Sequence, residues 1–442
     1  MFKTFINAFK IKDIRKKLLY TLLILVVIRI GSQIPIPGVN IEYVKQMMET
    51  ILGGGDGGIF MAITGGSLER MSILALGITP YITSSIVMQL LTIAIPGLEE
   101  MQRDGEDGRK KIAAITRYLT VALALIESGA MAIGYKQILN EYNALSVITV
   151  IAAMTAGSAF LMWLGERVTE NGVGNGISIV LVINIISTFP QDAVSLYTKF
   201  VKGQTVATAI LNSVIIIVVV LGLVVMVIYL SDAIRKIPIQ YAKKIQGNKM
   251  MGGNSSHIPV RVNTAGVIPV IFAASLLQFP IIISNMVGFN AAGEGWLTKF
   301  WAEALNYMNS SHWFNTADMK YTLGILIYIV LVVFFAYFYT SITFNPAEIA
   351  NNLKKAGGFV PGIRPGKPTS EYLNSVLNYI IFIGAVGLVI VAIIPYVFNG
   401  LFGASVSFGG TSIIIVVSVV IETAQQVESQ MLVRNYKGFL ND

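Results

Sequence analysis

VATAILNSVIIIVVVLGLVVMVIYL, residues 206–230, holds no charged side chain. A bilayer core is crossed by about 20 mostly apolar residues in a helix, which satisfies all of its backbone polar groups internally. A stretch this long and this apolar predicts a membrane span. Working outward from it, nine further stretches read the same way, at roughly 18–36, 72–95, 112–134, 145–164, 176–189, 264–287, 321–344, 373–398 and 411–432. The stretch at 176–189 is short, lying between a glycine run, Asn171–Gly176, and Pro190, and is expected to be an interior or tilted helix that ends at the proline. Composition agrees: the chain is 54% hydrophobic and only 13% charged, where a soluble protein averages about 25% charged. The expected fold class is an all-α polytopic membrane protein of ten transmembrane helices.

Cation placement sets the expected orientation. With the amino terminus inside, 24 of the 32 Lys and Arg fall in inner segments and 7 in outer ones, and Arg29 lies within the first span. Inner loops collect Lys and Arg, so both termini are expected on the cytoplasmic side. Five stretches precede residues 190–205 and five follow. An odd count per half inserts the second half upside down, which is the arrangement of an inverted repeat. The expected division is 1–195 for the first five helices and 196–442 for the last five.

Several chemistries are excluded. The chain has no cysteine, and its two histidines, His257 and His312, are far apart in loops. That removes disulfides, thiolate chemistry, zinc-thiolate sites and any histidine-centred triad. GIRPGKPT at 362–369 fails the phosphate-loop spacing, because Pro361 stands where the first glycine belongs and Pro368 follows Lys367. No paired-aspartate, HExxH or GxSxG protease signature is present. No enzyme, cofactor or metal is expected. The basic, amphipathic residues 1–17 lack a cleavable signal pattern, so the first apolar stretch is expected to stay.

Two inner loops and one outer segment stand out. Residues 232–263 carry six cations and one acid, and residues 345–371 carry four cations around GGFVPGIRPGKP. Pro361, Pro365 and Pro368 stiffen the second loop. Stiff basic loops of this length suit docking of an acidic or nucleic-acid partner better than topology control alone. The outer segment 51–70, ILGGGDGGIFMAITGGSLER, is too polar to span and too apolar to float free. It reads either as a flexible loop or as a re-entrant segment lining a cavity.

Several strings carry a family resemblance: RIGSQIPIPG at 29–38, LGITPYITSSI at 76–86, GRKKIAAITRY at 108–118, FLMWLGERVTENGVGNGISI at 160–179, HIPVRVNTAGVIP at 257–269, FNPAEIANNLKKAGGFVPGIRPG at 344–366 and FGGTSIIIVV at 408–417. In this order and on these segments, the chain resembles the SecY family, the channel subunits of bacterial Sec translocases, from about residue 18 to 437. The resemblance implies two five-helix halves around an hourglass pore. It implies a constriction ring of Ile78, Ile82, Ile177, Leu181, Ile271 and Ile415. Two pairs in that ring stand at i, i+4 and so share a helix face. It also implies a plug over about 57–70, with Phe60, Met61, Ala62, Ile63, Thr64, Gly65, Gly66, Ser67, Leu68, Glu69 and Arg70 filling the outer funnel.

A lateral gate to lipid is implied at Thr83, Glu127, Gln278 and Phe279. Some relatives have an amide where this chain has Phe279. Glu127 is expected about 22 Å along its helix from residue 112, facing the gate, with Thr83, Gln278 and Arg29 as candidate partners. The basic loops are implied to dock the ribosome and SecA, the ATPase motor, through Lys243, Lys244, Lys249, Arg364 and Lys367. Relatives often present an arginine pair where this chain has Asn248–Lys249. The implied partners also include the small SecE and SecG membrane subunits, signal sequences, nascent polypeptides and the lipid bilayer. The implied function is passage of unfolded polypeptides across the bacterial cytoplasmic membrane, with sideways release of transmembrane segments. A ten-helix secondary transporter is the alternative. It would need clustered ionisable residues near the midplane, and Arg29, Glu127 and Glu422 on three separate helices form no visible relay.

Overall fold

The computed structural model describes residues 8–44, 46, 63–134, 136–202, 205–241, 244–246, 249–251, 255–286, 296–309, 313, 319–402 and 410–438. All ten expected stretches coincide with helices. In chain order these are α1 (Lys12–Gly31), α2 (Thr79–Ala94), α4 (Glu106–Gly134), α5 (Ala144–Asn171), α6 (Gly176–Phe200), α7 (Val206–Asp232), α8 (Ile268–Met286), α10 (Leu323–Thr343), α12 (Lys367–Phe402) and α13 (Gly410–Gly438). Three shorter helices join them: α3 (Pro96–Arg103), α9 (Trp296–Met308) and α11 (Pro346–Lys355).

Among the described residues, seven helices are long and apolar enough to cross a membrane, and eight if α2 and α3, bent by 107° at Ile95, count as one. The other two stretches are α1, whose apolar run is shortened by Lys16, Lys17 and Arg29, and α8, whose qualifying apolar run is Ile268–Leu277. Lipid-facing character is plain on α7. Only Leu223 and Val227 are buried there, while Ile210, Leu211, Val218 and Leu221 are all more than half exposed. A helix that is apolar all round and turns most of its surface outward belongs in lipid.

Three expectations are corrected. Pro190 does not end the fifth span: it lies inside α6, which continues to Phe200. The Ser187 and Thr188 hydroxyls bond back to the carbonyls of Asn184 at 2.6 Å and Ile185 at 2.9 Å, in the turn that the proline disturbs. The carbonyl that Pro190 leaves without its helical N–H partner is that of Ile186. The second span starts at Thr79, because residues 72–78 are turns pinned to the first outer segment by Ile36 N to Met71 O (2.9 Å) and Ile73 N to Ile34 O (3.0 Å). The third correction concerns the basic loops, which contain strands.

Strand β1 (Ile234–Tyr241) pairs antiparallel with β4 (Ser255–Arg261), in register from Ile234 opposite Arg261 to Gln240 opposite Ser255. On its other edge β1 pairs with β5 (Gly358–Phe359), so the two basic loops share one three-stranded sheet. At the hairpin tip, β2 (Lys244–Gln246) and β3 (Lys249–Met251) form a second ladder. Ile237, Ile239 and Val260 bury themselves against Leu353, Val360, Leu373 and Leu377, which roots the sheet in the inner ends of α11 and α12. At 36 residues, α12 is about 54 Å long, well beyond a bilayer core.

The helices pack in two groups. In the first, α4 packs on α2 and α5, and α5 on α1 and α6. In the second, α10 packs on α8 and α12, and α13 on α7 and α12. The groups meet where α6 touches α13 and α7, and again where α4 touches α8. Gly176 is required at the α5–α6 crossing: a Cβ there would overlap the Gly165 carbonyl. The second group closes outward on an aromatic knot, with Trp313 5.4 Å from Tyr328 and 5.1 Å from Tyr396, ring to ring.

Candidate functional site

The structure brings six aliphatic side chains of four helices together. Ile78 caps the start of α2 and Ile82 lies one turn in. Ile177 and Leu181 are on one face of α6, Ile271 is on α8, and Ile415 is on α13. Ile78, Leu181 and Ile415 are buried in a single apolar cluster, with Ile82, Ile177 and Ile271 half-buried against it. Four helices from both groups thus supply one contiguous aliphatic plane.

On one side the plane floors a cavity of about 460 Å³, into which Ile82, Ile177, Leu181 and Ile271 face. The walls turn polar away from the plane, through Tyr81, Gln89, Arg117, Glu166 and Glu170. The Arg117 Nε to Glu166 Oε1 ion pair, 2.7 Å, ties α4 to α5 along this wall. Aliphatic groups give an ion no substitute for its hydration shell, so such a plane opposes ion passage by dewetting. Its contacts are non-directional and hold no particular polypeptide sequence.

On the opposite side sits the segment 63–70. Ile63 packs against the same cluster, Leu68 packs with Met71 and Leu76 among residues of α4 and α5, and Arg70 is exposed. Ser67 Oγ lies 2.6 Å from Thr64 O and 3.0 Å from Leu74 O, which folds the segment back on itself. Asn184 Nδ2 on α6 donates to Ile63 O at 2.9 Å, and Arg29 Nη1 on α1 lies 3.4 Å from Gly65 O. Of the expected plug residues, Phe60, Met61 and Ala62 lie outside the described residues, as do residues 57–59.

The gate residues are distributed as follows. Thr83, on α2, donates to its own helix at Thr79 O, 3.1 Å. Glu127 is half-buried on α4, beside the buried stripe of Thr120, Ala124 and Ser128. Arg29 does not meet Glu127: its guanidinium is turned to Gly65. Among the described residues no side chain hydrogen-bonds Glu127 or pairs with it. Gln278 and Phe279 lie on α8, which packs against α4, and their side chains fall outside the described set.

Of the docking residues, Arg364 is exposed between two glycines of positive φ, Gly362 (83°) and Gly366 (104°), and its carbonyl accepts from Thr369 Oγ1 at 2.8 Å. Lys367 is exposed at the first residue of α12. Lys244 and Lys249 stand on the paired strands of the hairpin tip, and Lys243 lies outside the described residues.

Asn184 was not anticipated from the sequence. Its signal is there, however: the one amide in the stretch 176–189, three residues after Leu181 and seven after Ile177, hence on the ring face.

The SecY family model matches residues 72–424. The protein translocase subunit SecY of Streptomyces galbus is 44% identical over 456 residues, and that of Bacillus licheniformis is 40% identical over 450, each match covering 100% of both chains. Among solved structures, a protein-conducting channel superposes with a TM-score of 0.63 at 19% identity, covering 95% of this chain and 93% of that one. Sec61 in a canine ribosome–channel complex does so with a TM-score of 0.57 at 18% identity, over the same shares. At those identities the superpositions establish the fold.

Proposed function

The chain belongs to the SecY family of protein translocase subunits, and from that premise we propose that its aliphatic plane is the constriction of a protein-conducting channel. It is a multi-pass membrane protein. In this reading Ile78, Ile82, Ile177, Leu181, Ile271 and Ile415 seal around a passing unfolded chain, and residues about 57–70 plug the outer funnel when no chain is present. The halves are 1–195 and 196–442. They part between α2–α4 and α8–α10, near Thr83, Glu127, Gln278 and Phe279, to release transmembrane segments into lipid. The chain sits in the bacterial cytoplasmic membrane with both termini inside. SecE and SecG are its membrane partners. SecA and the ribosome dock on the sheet shared by the two basic loops, on Lys243, Lys244, Lys249, Arg364 and Lys367.

The observation that supports this best is the sequence of layers along the pore: polar cavity, aliphatic plane from both halves, then a segment seated against the plane. A solute carrier would instead place ionisable groups at the midplane, and here the plane is wholly aliphatic. The deciding experiment is reconstitution of the purified chain with its co-purifying small subunits in vesicles. Addition of SecA and ATP is expected to drive a signal-bearing precursor inside. Saturable uptake of a small solute, with no precursor transport, would establish the carrier instead.

A further inference from the structure

Asn184 is 3% exposed within the apolar helix α6. A buried amide is costly unless it is bonded, and its Nδ2 donates to the main-chain carbonyl of Ile63 at 2.9 Å. Arg29 Nη1 reaches the Gly65 carbonyl at 3.4 Å. Gly65 has φ +65°, and a Cβ on it would stand 3.0 Å from Arg29 Nη1 and from Asn184 Cα and Cβ. Only glycine lets both donors close on this turn. Ser187 Oγ also lies 3.4 Å from Gly65 O, but its one proton is committed to Asn184 O at 2.6 Å.

We propose that Asn184 and Arg29 form a latch on the main chain of the outer segment, and that opening of the aliphatic ring releases it. The proposal rests on reading residues 63–70 as the plug. Ile177, Leu181 and Asn184 share one face of α6, within two turns. A polypeptide that widens the ring pushes on Ile177 and Leu181, and Asn184 moves with them on the same rigid helix. The amide then leaves the Ile63 carbonyl, and the segment is freed when a chain arrives. With an empty ring the helix returns and the latch closes. Because both acceptors are main-chain carbonyls, the latch reads the fold of the segment and not its side chains.

The chain has no native cysteine, so a single Ser67→Cys, at a position 1% exposed, reports displacement of the segment. The rate of its labelling by a membrane-impermeant maleimide added from the outer side is measured in the reconstituted complex. With Asn184 intact, labelling is expected to be slow and to accelerate when a signal-bearing precursor is engaged. With Asn184→Leu it is expected to be about 5- to 10-fold faster without precursor, the effect of losing one buried hydrogen bond, and to accelerate little further. Arg29→Met carries the same expectation and serves if Asn184→Leu fails to accumulate. Deletion of residues 60–67, assayed for resting ion leak, tests the plug reading separately. No leak on deletion overturns the plug reading and the latch with it. Leak on deletion with unchanged labelling in both latch variants overturns the latch alone.

Discussion

Ile82 and Ile271 approach the same plane from different halves, which makes them the sharpest test of the seal. Replacing both with Asn puts two amides into the constriction, where they offer water and ions hydrogen bonds that the aliphatic groups withhold. Resting conductance in planar bilayers is expected to rise and signal-sequence selectivity to relax, and unchanged conductance at equal protein abundance would refute the ring. Arg364 tests the inner surface. It is exposed, so Arg364→Glu is expected to leave stability within about ±0.5 kcal/mol. SecA-driven transport is expected to collapse, because an acidic or phosphate-bearing partner meets repulsion where it met a cation. Normal transport by Arg364→Glu in a vesicle assay would remove the docking role. The i, i+4 spacing of each ring pair was legible in the sequence. The role of Asn184 was not, since one polar residue in an apolar helix only acquires meaning from the carbonyl opposite it.

At the scale of elements, the two basic loops act as one body. Gly358 is buried where β5 meets β1, and a Cβ on it would come within 2.7 Å of Leu353 Cδ1 and 3.0 Å of Tyr241 Cε1. Gly358→Val is therefore expected to part the two loops at a cost of about 1–3 kcal/mol, typical of overpacking, while the membrane helices stay assembled. SecA-dependent transport is expected to fall although Arg364 and the lysines are untouched. Limited proteolysis of the 232–263 loop would show the separation, and an unaltered digestion pattern would count against the shared sheet. This sheet was not readable from the chain: Gln240 and Phe359 are too distant in sequence for any local pattern to pair them. Likewise Pro190 reads as a stop in sequence. Only the structure shows the helix continuing through it to Phe200.

Across the whole molecule, the two groups of helices touch at α6 with α13 and α7 on one side and at α4 with α8 on the other. On the function proposed above, the short connection through residues 201–205 makes the first contact the hinge and the second the edge that parts. Glu127 stands on α4, at that second contact, half-buried. Replacing it with Leu removes a carboxylate that must be solvated or protonated when α4 faces lipid. Glu127→Leu is expected to change how hydrophobic a segment must be to leave sideways, measured with a graded series of Leu-containing segments. A threshold that stays in place at matched channel abundance would assign Glu127 a structural role only.

By itself the sequence determined the membrane fold and the family. Each rests on local patterns: apolar runs long enough for a bilayer, and motif strings in fixed order. Tertiary structure alone decided which side chains wall the cavity beside the aliphatic cluster, what seats segment 63–70, and how the basic loops combine. Those depend on groups brought together from separate helices, such as Asn184 on α6 with Ile63, or Gln240 on β1 with Phe359. Hydrophobic burial specifies that a helix lies in lipid without specifying which neighbour it meets. That choice is made by close approach at glycines and by the few hydrogen bonds that a low-dielectric interior makes obligatory.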